Sequence, residues 1–354
     1  MNNRLTICIP TYDRNACVLQ AIEKLLPQIT GECSLVVLDN HSADDPSEDI
    51  LRLFQRFPEA RCKLIRHPVN VGAAANVLRC FEMAESGWLW ICGDDDKPLP
   101  NSVSNILRAA DEYPDALYIN FVSVWLQRGD QAVRKESLCL NRANFFQKLD
   151  GFSNLLYIST GIYHVERAQQ CLRMGYIYAH THAMQVAMIL HGLEIGHRVA
   201  LHSSQIIEWG CDETTAWDPQ IIWFTYGVLD CISRAPDREA FRRLMKVGAY
   251  VTSNATSRKM RLLGLCLTEE PIAFRLHQYL LFWPGSGLLY GSTKREVAAS
   301  CAKMVWETCY FILALTIRKP LLSFLKWWDP GLLEKYKQDF ARFDLHQLRF
   351  SNRI

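Results

Sequence analysis

The first third of the chain alternates short apolar runs with longer segments in which apolar residues recur every three or four positions. Short apolar runs are typical of buried strands, and the longer period is typical of helices packed on one face. The runs predict strands at 5–9, 35–38, 62–66, 88–92 and 116–124. The periodic segments predict helices at 16–26, 47–57, 73–84 and 102–112. This alternation predicts an α/β fold with a doubly wound, mainly parallel sheet.

The alternation weakens beyond about residue 150. Apolar segments at 154–163 and 199–207 predict two further strands, and 183–190 predicts a helix. From residue 219 to the end the pattern is helical, with no flexible linker before it. We therefore expect a catalytic α/β domain over residues 1–218 and a helical C-terminal lobe over residues 219–354.

Polar side chains follow three of the predicted strands at the point where each strand ends. The segments are Pro10-Thr11-Tyr12-Asp13, Asp39-Asn40 and Asp94-Asp95-Asp96. Ligands of open parallel sheets bind outside the carboxyl ends of the strands. We therefore expect these groups to converge on one site.

The acidic triplet is the strongest chemical signal in the chain. Adjacent carboxylates repel one another unless a cation neutralises them. Their oxygens suit a hard divalent ion that shares its coordination with substrate phosphates. Asp94-Asp95-Asp96 therefore predicts a metal site, and an acidic turn without a ligand is the alternative.

Composition narrows the classes of function. The formal net charge of +2 is too small to indicate nucleic-acid binding. Neither a Gly-x-Gly-x-x-Gly nor a Gly-Lys-Ser/Thr loop is present, which disfavours dinucleotide and P-loop sites. The 13 cysteines are scattered without Cys-x-x-Cys pairs, as in a cytosolic protein with reduced thiols.

Four segments together resemble family 2 glycosyltransferases of the GT-A fold. They are LTICIPTYDR at 5–14, VVLDNHSAD at 36–44, NVGAAAN at 70–76 and GDDD at 93–96. Their order and spacing match the opening strand, the acidic end of the second strand, the Asn-x-Gly helix entry and the Asp-x-Asp metal motif of that family. Residues 152–165 resemble a later strand of bacterial transferases that build O-antigen or capsule sugars.

The resemblance implies a Rossmann-like GT-A domain and an enzyme of the hexosyltransferase type. Such an enzyme moves a sugar from a nucleotide-sugar donor to a glycan or lipid-linked acceptor in cell-surface polysaccharide synthesis. The residues it assigns to nucleotide-sugar binding are Pro10, Thr11, Tyr12, Asp13, Asp39, Asn70, Gly72, Asn76, Asp94 and Asp95. Asp96 and Asp94 would hold Mn²⁺ or Mg²⁺, which stabilises negative charge on the departing diphosphate.

An inverting transfer also needs a base for the acceptor hydroxyl. The family's usual Glu-Asp pair is not evident, and Tyr178-Ala179-His180-Thr181-His182 stands in its place. The candidates are His180, His182, Asp212 and Glu213, the last two in a loop with two tryptophans. The identity of the base and the stereochemical outcome stay open at this point.

The C-terminal region suggests an association with membranes. The apolar stretch at 304–317 is too short to span a bilayer, which takes about 20 apolar residues. Aromatic and basic residues interleave as far as Trp328, a pattern that suits a membrane interface, with a buried helix as the alternative. The first apolar stretch is too short for a signal peptide. We expect a cytoplasmic protein that is peripheral at the inner face of the membrane.

Two other classes of function compete with the glycosyltransferase. A nucleotidyltransferase should carry a Gly-rich loop with Lys or Arg after the first strand, where this chain has Pro-Thr-Tyr-Asp. A catalytically inactive, transferase-like scaffold would not need the intact acidic triplet. Both alternatives are therefore less favoured than the enzyme.

Overall fold

The structure is a computed structural model that divides the chain into two compact units, Met1–Ala216 and Trp217–Ile354. It describes residues 3–122, 134, 136–148, 155, 157–179 and 183–208, with scattered helical positions between 294 and 327. The predicted domain boundary at residue 218 stays a prediction, because residues 209–293 lie outside the described part of the chain.

A sheet of eight strands forms the centre of the described part of the first unit. Its strands are β1 Leu5–Thr11, β2 Cys33–Asp39, β3 Arg61–Arg66, β4 Trp88–Ile91, β6 Ala116–Val122, β7 Leu138–Leu140, β8 Gly161–His164 and β9 Arg198–Gln205. Their order across the sheet is β3-β2-β1-β4-β8-β6-β9-β7. A separate antiparallel pair joins β5 Lys97–Pro98 to β10 Ile207–Glu208.

Strand directions confirm the predicted mainly parallel sheet. β1 pairs in parallel with β2 and β4, β2 with β3, and β6 with β9. β8 runs antiparallel between β4 and β6, and β7 runs antiparallel beside β9. The direction of β8 was not predicted, because an apolar run does not reveal which distant strands it will pair with.

Seven helices accompany these strands in the described part of the first unit. They are α1 Asn15–Leu25, α2 Ser47–Gln55, α3 Ala73–Met83, α4 Ser102–Glu112, α5 Arg142–Lys148, α6 Val165–Ile177 and α7 Met184–Glu194. The first four match the predicted helices closely. α5 and α6 were missed, since the buried stripe of α6 consists largely of small or single apolar residues such as Ala168, Cys171 and Gly175.

The strands nearest the middle of the sheet are buried along their whole lengths. All four residues of β4 and all seven of β6 are buried, as continuous apolar runs predict for strands covered on both faces. This burial holds the carboxyl ends of β1, β2 and β4 in fixed positions, and the polar segments follow there.

The cysteines of the described part are mostly core residues. Those with free thiols are Cys8, Cys33, Cys62, Cys80, Cys92, Cys139, Cys171, Cys301 and Cys309. Burial raises the pKa of the Cys80 and Cys92 thiols well above the usual range, so both stay protonated. Cys17 is disulfide-bonded, which the expectation of reduced thiols did not include.

The glycine at the start of β8 is required by close packing. A Cβ atom at Gly161 would overlap the ring of buried Tyr118. Overpacking of this kind costs about 1–3 kcal/mol. We therefore expect Gly161→Ala to lower the free energy of unfolding in urea by about that amount. Gly87→Ala is the control, because its nearest neighbour would be Arg4 O at 3.6 Å. Equal stability of the two variants would contradict this packing.

Candidate active site

The segments after β1 and β2 lie side by side and are tied by hydrogen bonds. Asn40 N donates to Thr11 O at 2.9 Å. Asp13 N donates to Ser42 Oγ at 2.9 Å, and the Asp13 carboxylate accepts from Ala43 N at 2.7 Å. Two of the polar segments predicted from the sequence therefore form one braced surface at the edge of the sheet.

Asp39 is fully buried, and its charge is satisfied within the protein. Its carboxylate accepts from Ser42 N at 3.2 Å and Ser42 Oγ at 2.5 Å, and it forms an ion pair with Arg66. Arg66 Nη2 also donates to Ser42 O at 2.8 Å. The Arg66 side chain is 27% exposed whereas that of Asp39 is 0% exposed, so Arg66 is the member of the pair that reaches solvent.

The Asn-x-Gly segment is fastened to the end of β2. Asn40 Nδ2 donates to Asn70 Oδ1 at 2.8 Å, and Asn40 Oδ1 accepts from Val71 N at 2.9 Å. Asn70 Oδ1 also accepts from Gly72 N at 2.8 Å. Gly72 has a φ of 86°, a left-handed conformation that favours glycine, immediately before α3.

Asn76 lies buried beneath this segment. Its Nδ2 donates to Leu38 O at 3.1 Å, and its Oδ1 lies 2.9 Å from His67 Nε2. Arg79 Nη1 lies 2.9 Å from His67 Nδ1. Because a guanidinium only donates hydrogen bonds, His67 Nδ1 must accept from Arg79. His67 Nε2 therefore carries the ring proton and donates to Asn76 Oδ1. Asn76 thus joins the end of β2 to His67, and its predicted contact with the nucleotide sugar stays a prediction.

The acidic turn after β4 meets the segment after β1. Thr11 Oγ1 donates to Asp94 Oδ2 at 2.7 Å. Arg14 Nη1 donates to Asp94 Oδ1 at 3.0 Å and to Asp95 Oδ2 at 2.7 Å. The third predicted polar segment thus joins the first, as the rule for parallel sheets implies. Arg14 stood beside the motif in the sequence but was not singled out there.

Charge in the turn is only partly balanced. Burial raises the pKa of Asp94 to about 6, against the opposing effect of the Arg14 cation. The carboxylates of Asp94 and Asp95 both pair with the guanidinium of Arg14, so two negative charges lie against one positive charge. Carboxylate oxygens are hard ligands of the type that Mg²⁺ and Mn²⁺ take. The donor set therefore fits such an ion.

The protein contributes few metal ligands of its own. Among the described residues, no group of three or more His, Cys, Asp or Glu side chains is arranged to hold a metal ion. An ion bound through one or two carboxylates and completed by substrate phosphates and water is the usual arrangement for Mg²⁺. The site matches that arrangement better than an all-protein cage.

Asp96 is bonded to the segment that precedes β8. Tyr157 OH donates to Asp96 Oδ1, and Ser159 Oγ donates to Asp96 Oδ2 at 2.5 Å. A Cβ at Gly93 would lie 2.6 Å from Asp96 Oδ2, so glycine is required there. Sequence reasoning missed both hydroxyl groups, because nothing local links positions 157–159 to the turn after β4.

Three of the other residues predicted to bind the nucleotide sugar differ in exposure, and the candidates for the base are not described. Tyr12 is 43% exposed at the rim of the site, Pro10 is half-buried and Asp13 is exposed. The base candidates His180, His182, Asp212 and Glu213 lie outside the described residues, and their roles stay predictions.

Comparison with known proteins identifies the domain. Residues 6–165 match the family described as glycosyl transferase family 2. The chain carries a family 2 glycosyltransferase domain. It is 29% identical over 119 residues to the abequosyltransferase RfbV of Salmonella typhimurium, covering 31% of this chain and 34% of that protein. It is 26% identical over 118 residues to an uncharacterized glycosyltransferase of Haemophilus influenzae, covering 33% and 37% respectively. The chain thus spans about a third of the length of these relatives.

Two solved structures share the fold of this chain. S. aureus TarS 1–349 superposes with a TM-score of 0.55 at 15% identity, covering 89% of this chain and 88% of that one. The mannosyltransferase PcManGT from Pyrobaculum calidifontis gives a TM-score of 0.50 at 12% identity, covering 87% and 88%. These likenesses confirm the predicted GT-A architecture of the family 2 domain.

The raised pKa of Asp94 predicts a pH-dependent effect on stability in metal-free protein. A carboxyl whose pKa rises on folding, here from 3.8 to about 6, destabilises the folded state increasingly as pH rises across that interval. Asp94→Asn should therefore gain unfolding free energy over the unmodified protein at pH 7, and the gain should shrink at pH 4. Urea unfolding in EDTA at both pH values measures it.

The control for this experiment is Asp49→Asn, which removes an exposed carboxylate from α2. It should show no comparable gain at pH 7. A loss of stability in Asp94→Asn at pH 7, or an equal gain at both pH values, would contradict the electrostatic account of the turn.

Proposed function

We propose that this protein transfers a sugar from a nucleotide-sugar donor to a glycan or lipid-linked acceptor. The observation that carries the proposal is the convergence of Thr11 and Arg14 on the acidic turn Asp94–Asp96 at the carboxyl end of buried β4. A cluster of carboxylates with one counter-cation suits a diphosphate that arrives with a divalent ion. The family 2 domain supports the same reading.

Named ligands of the related structures suggest which donors to test. TarS has been described in complex with UDP, and PcManGT with GDP-Man and Mn²⁺. The name of the abequosyltransferase relative agrees with a role in cell-surface polysaccharide synthesis, which we propose for this chain. Uridine and guanosine diphosphates are therefore suitable first probes.

The residues of the site divide the work of donor binding. Tyr12 offers an exposed aromatic face for stacking on the base, and Arg66 presents a cation at the neighbouring strand end. Asp96 and Asp94 would hold Mn²⁺ or Mg²⁺, which when bound stabilises negative charge on the departing diphosphate. Arg14 forms ion pairs with Asp94 and Asp95 and so orients the turn.

We propose an inverting transfer for the chemical step. The acceptor hydroxyl oxygen forms a bond to the anomeric carbon while the bond from that carbon to the diphosphate breaks. The hydroxyl proton passes to a base, for which the sequence offers His180, His182, Asp212 and Glu213. This assignment is supported by the sequence pattern alone.

Removal of the Asp96 charge tests the proposed metal-dependent site. Asp96→Asn keeps the shape of the side chain but removes the anionic oxygen that suits a divalent ion. Calorimetric titration of UDP and GDP should show Mn²⁺-dependent binding to the unmodified protein and at least a tenfold loss in this variant, about 1.4 kcal/mol.

Asp115→Asn serves as the control, since that side chain is 81% exposed and lies outside the site. It should bind as the unmodified protein does. Binding of either nucleotide that is equally strong with and without Mn²⁺, in both protein and variant, would overturn the metal role.

We also propose that the C-terminal region binds the cytoplasmic face of the membrane without crossing it. Described helical positions there include apolar side chains that are largely exposed, among them Val305 at 66%, Trp306 at 73% and Trp327 at 79%. Lys294 and Arg295 are exposed helical positions in the same region. No helix in the described residues is long and apolar enough to cross a bilayer.

Liposome flotation tests the membrane proposal. The protein should float with anionic vesicles at low salt, and added salt should weaken the charge-dependent part. Changing Trp306 and Trp327 together to serine should reduce the floating fraction severalfold. Leu51→Ser removes an apolar side chain that is 48% exposed on α2, and it should float normally. Unmodified protein that stays at the bottom of the gradient would refute the proposal.

A further inference from the structure

Asp96 is held on both carboxylate oxygens by hydroxyl groups from one short segment. Tyr157 OH donates to Oδ1, and Ser159 Oγ donates to Oδ2 at 2.5 Å. Tyr157 immediately precedes the single-turn 3-10 helix Ile158–Thr160, Ser159 is its middle residue, and the helix leads directly into β8. The same segment therefore fixes both position and rotation of the carboxylate.

This segment is itself rigidly attached to β4 and its turn. Trp90, fully buried in β4, donates from Nε1 to Ser159 O at 2.9 Å. Ser159 Oγ accepts from Gly93 N at 2.8 Å while it donates to Asp96. Thr160 Oγ1 donates to Tyr157 O at 2.7 Å, which closes the turn. The hydroxyl donors are thus part of the framework and not mobile surface groups.

Neutral donors orient Asp96 without offsetting its charge. A carboxylate has about four lone-pair positions, so two hydroxyl donors leave room for a further partner. Burial and the nearby Asp96 charge raise the pKa of Tyr157 well above its usual range, so its hydroxyl keeps the proton it donates. By contrast, the cation of Arg14 offsets charge on Asp94 and Asp95. The two donors that Tyr157 and Ser159 offer to Asp96 are uncharged.

We propose that Tyr157 and Ser159 are positioning residues that set the affinity of the Asp96 carboxylate for a divalent cation. The inference rests on the metal role of Asp96 in the proposed function. Hydrogen bonds from outside the coordination sphere orient ligand carboxylates, and their loss typically lowers metal affinity about 10- to 100-fold. Tyr157→Phe and Ser159→Ala each remove one such donor.

The experiment titrates the full chain with Mn²⁺ alone and follows the electron paramagnetic resonance signal of free Mn²⁺. Tyr157→Phe and Ser159→Ala should each weaken Mn²⁺ binding by about 10- to 100-fold. Tyr163→Phe is the matched control, because its buried hydroxyl has no hydrogen-bond partner among the described residues. It should leave Mn²⁺ affinity unchanged.

A second ion separates positioning from a general loosening of the fold. Ca²⁺ tolerates irregular coordination, whereas small octahedral ions such as Mg²⁺ demand near-ideal geometry. Loss of the Tyr157 hydroxyl should therefore weaken Mg²⁺ binding more than Ca²⁺ binding, both measured by competition with Mn²⁺. Equal weakening of the two ions, together with a lower midpoint of thermal unfolding, would assign Tyr157 a structural role only and overturn the inference.

Asp96→Asn distinguishes the failure of this inference from failure of the proposed function. If this variant binds Mn²⁺ as the unmodified protein does, Asp96 is no ligand and both proposals fall. If it loses binding while Tyr157→Phe and Ser159→Ala keep full affinity, the positioning role is wrong and the metal site stands. Should Ser159→Ala not fold, Tyr157→Phe decides alone, since it removes a single oxygen.

Discussion

The main constraint on the site is the electrostatic cost of three adjacent carboxylates at the end of a buried strand. Asp94 is 5% exposed, and burying it with like-charged neighbours opposes ionisation. Ion pairs from Arg14 to Asp94 and Asp95 offset part of the free-energy cost of ionisation. Thr11 adds a hydrogen bond to Asp94. These contacts require the ends of β1 and β4 to be adjacent. The parallel pairing at the centre of the sheet is therefore what makes the acidic turn possible.

The carboxylates of the acidic turn link the fold to the function proposed for this chain. Asp94 and Asp96 are buried, and buried carboxylates kept for packing alone would gain from replacement by neutral side chains of the same size. These carboxylates lie at the carboxyl edge of the sheet, where ligands of such folds bind. In the function proposed for this chain, a divalent ion and the diphosphate of the donor would bind beside these carboxylates.

Around this turn, several buried polar residues hold their neighbours in place. Asp39 holds Arg66, Asn40 holds Asn70, and Asn76 holds His67. Each of these buried polar groups satisfies its hydrogen bonds inside the protein, as burial demands. The buried polar residues thus fix the geometry of the strand ends, and the exposed residues beside them are accessible to a ligand.

The sequence by itself determined β1 to β4, β6 and β9, the first four helices, the mainly parallel sheet and the three polar segments at strand ends. It could do so because these features depend on local periodicity and on the rule that parallel strands end together. Only the tertiary structure decided that Arg14 pairs with the acidic turn and that Tyr157 and Ser159 bind Asp96. The contacts of Arg14 depend on the parallel pairing of β1 with β4, whose ends lie about eighty positions apart in the chain. Those of Asp96 depend on the antiparallel insertion of β8 between β4 and β6, which pairs residues more than forty positions apart and leaves no local signal in the sequence.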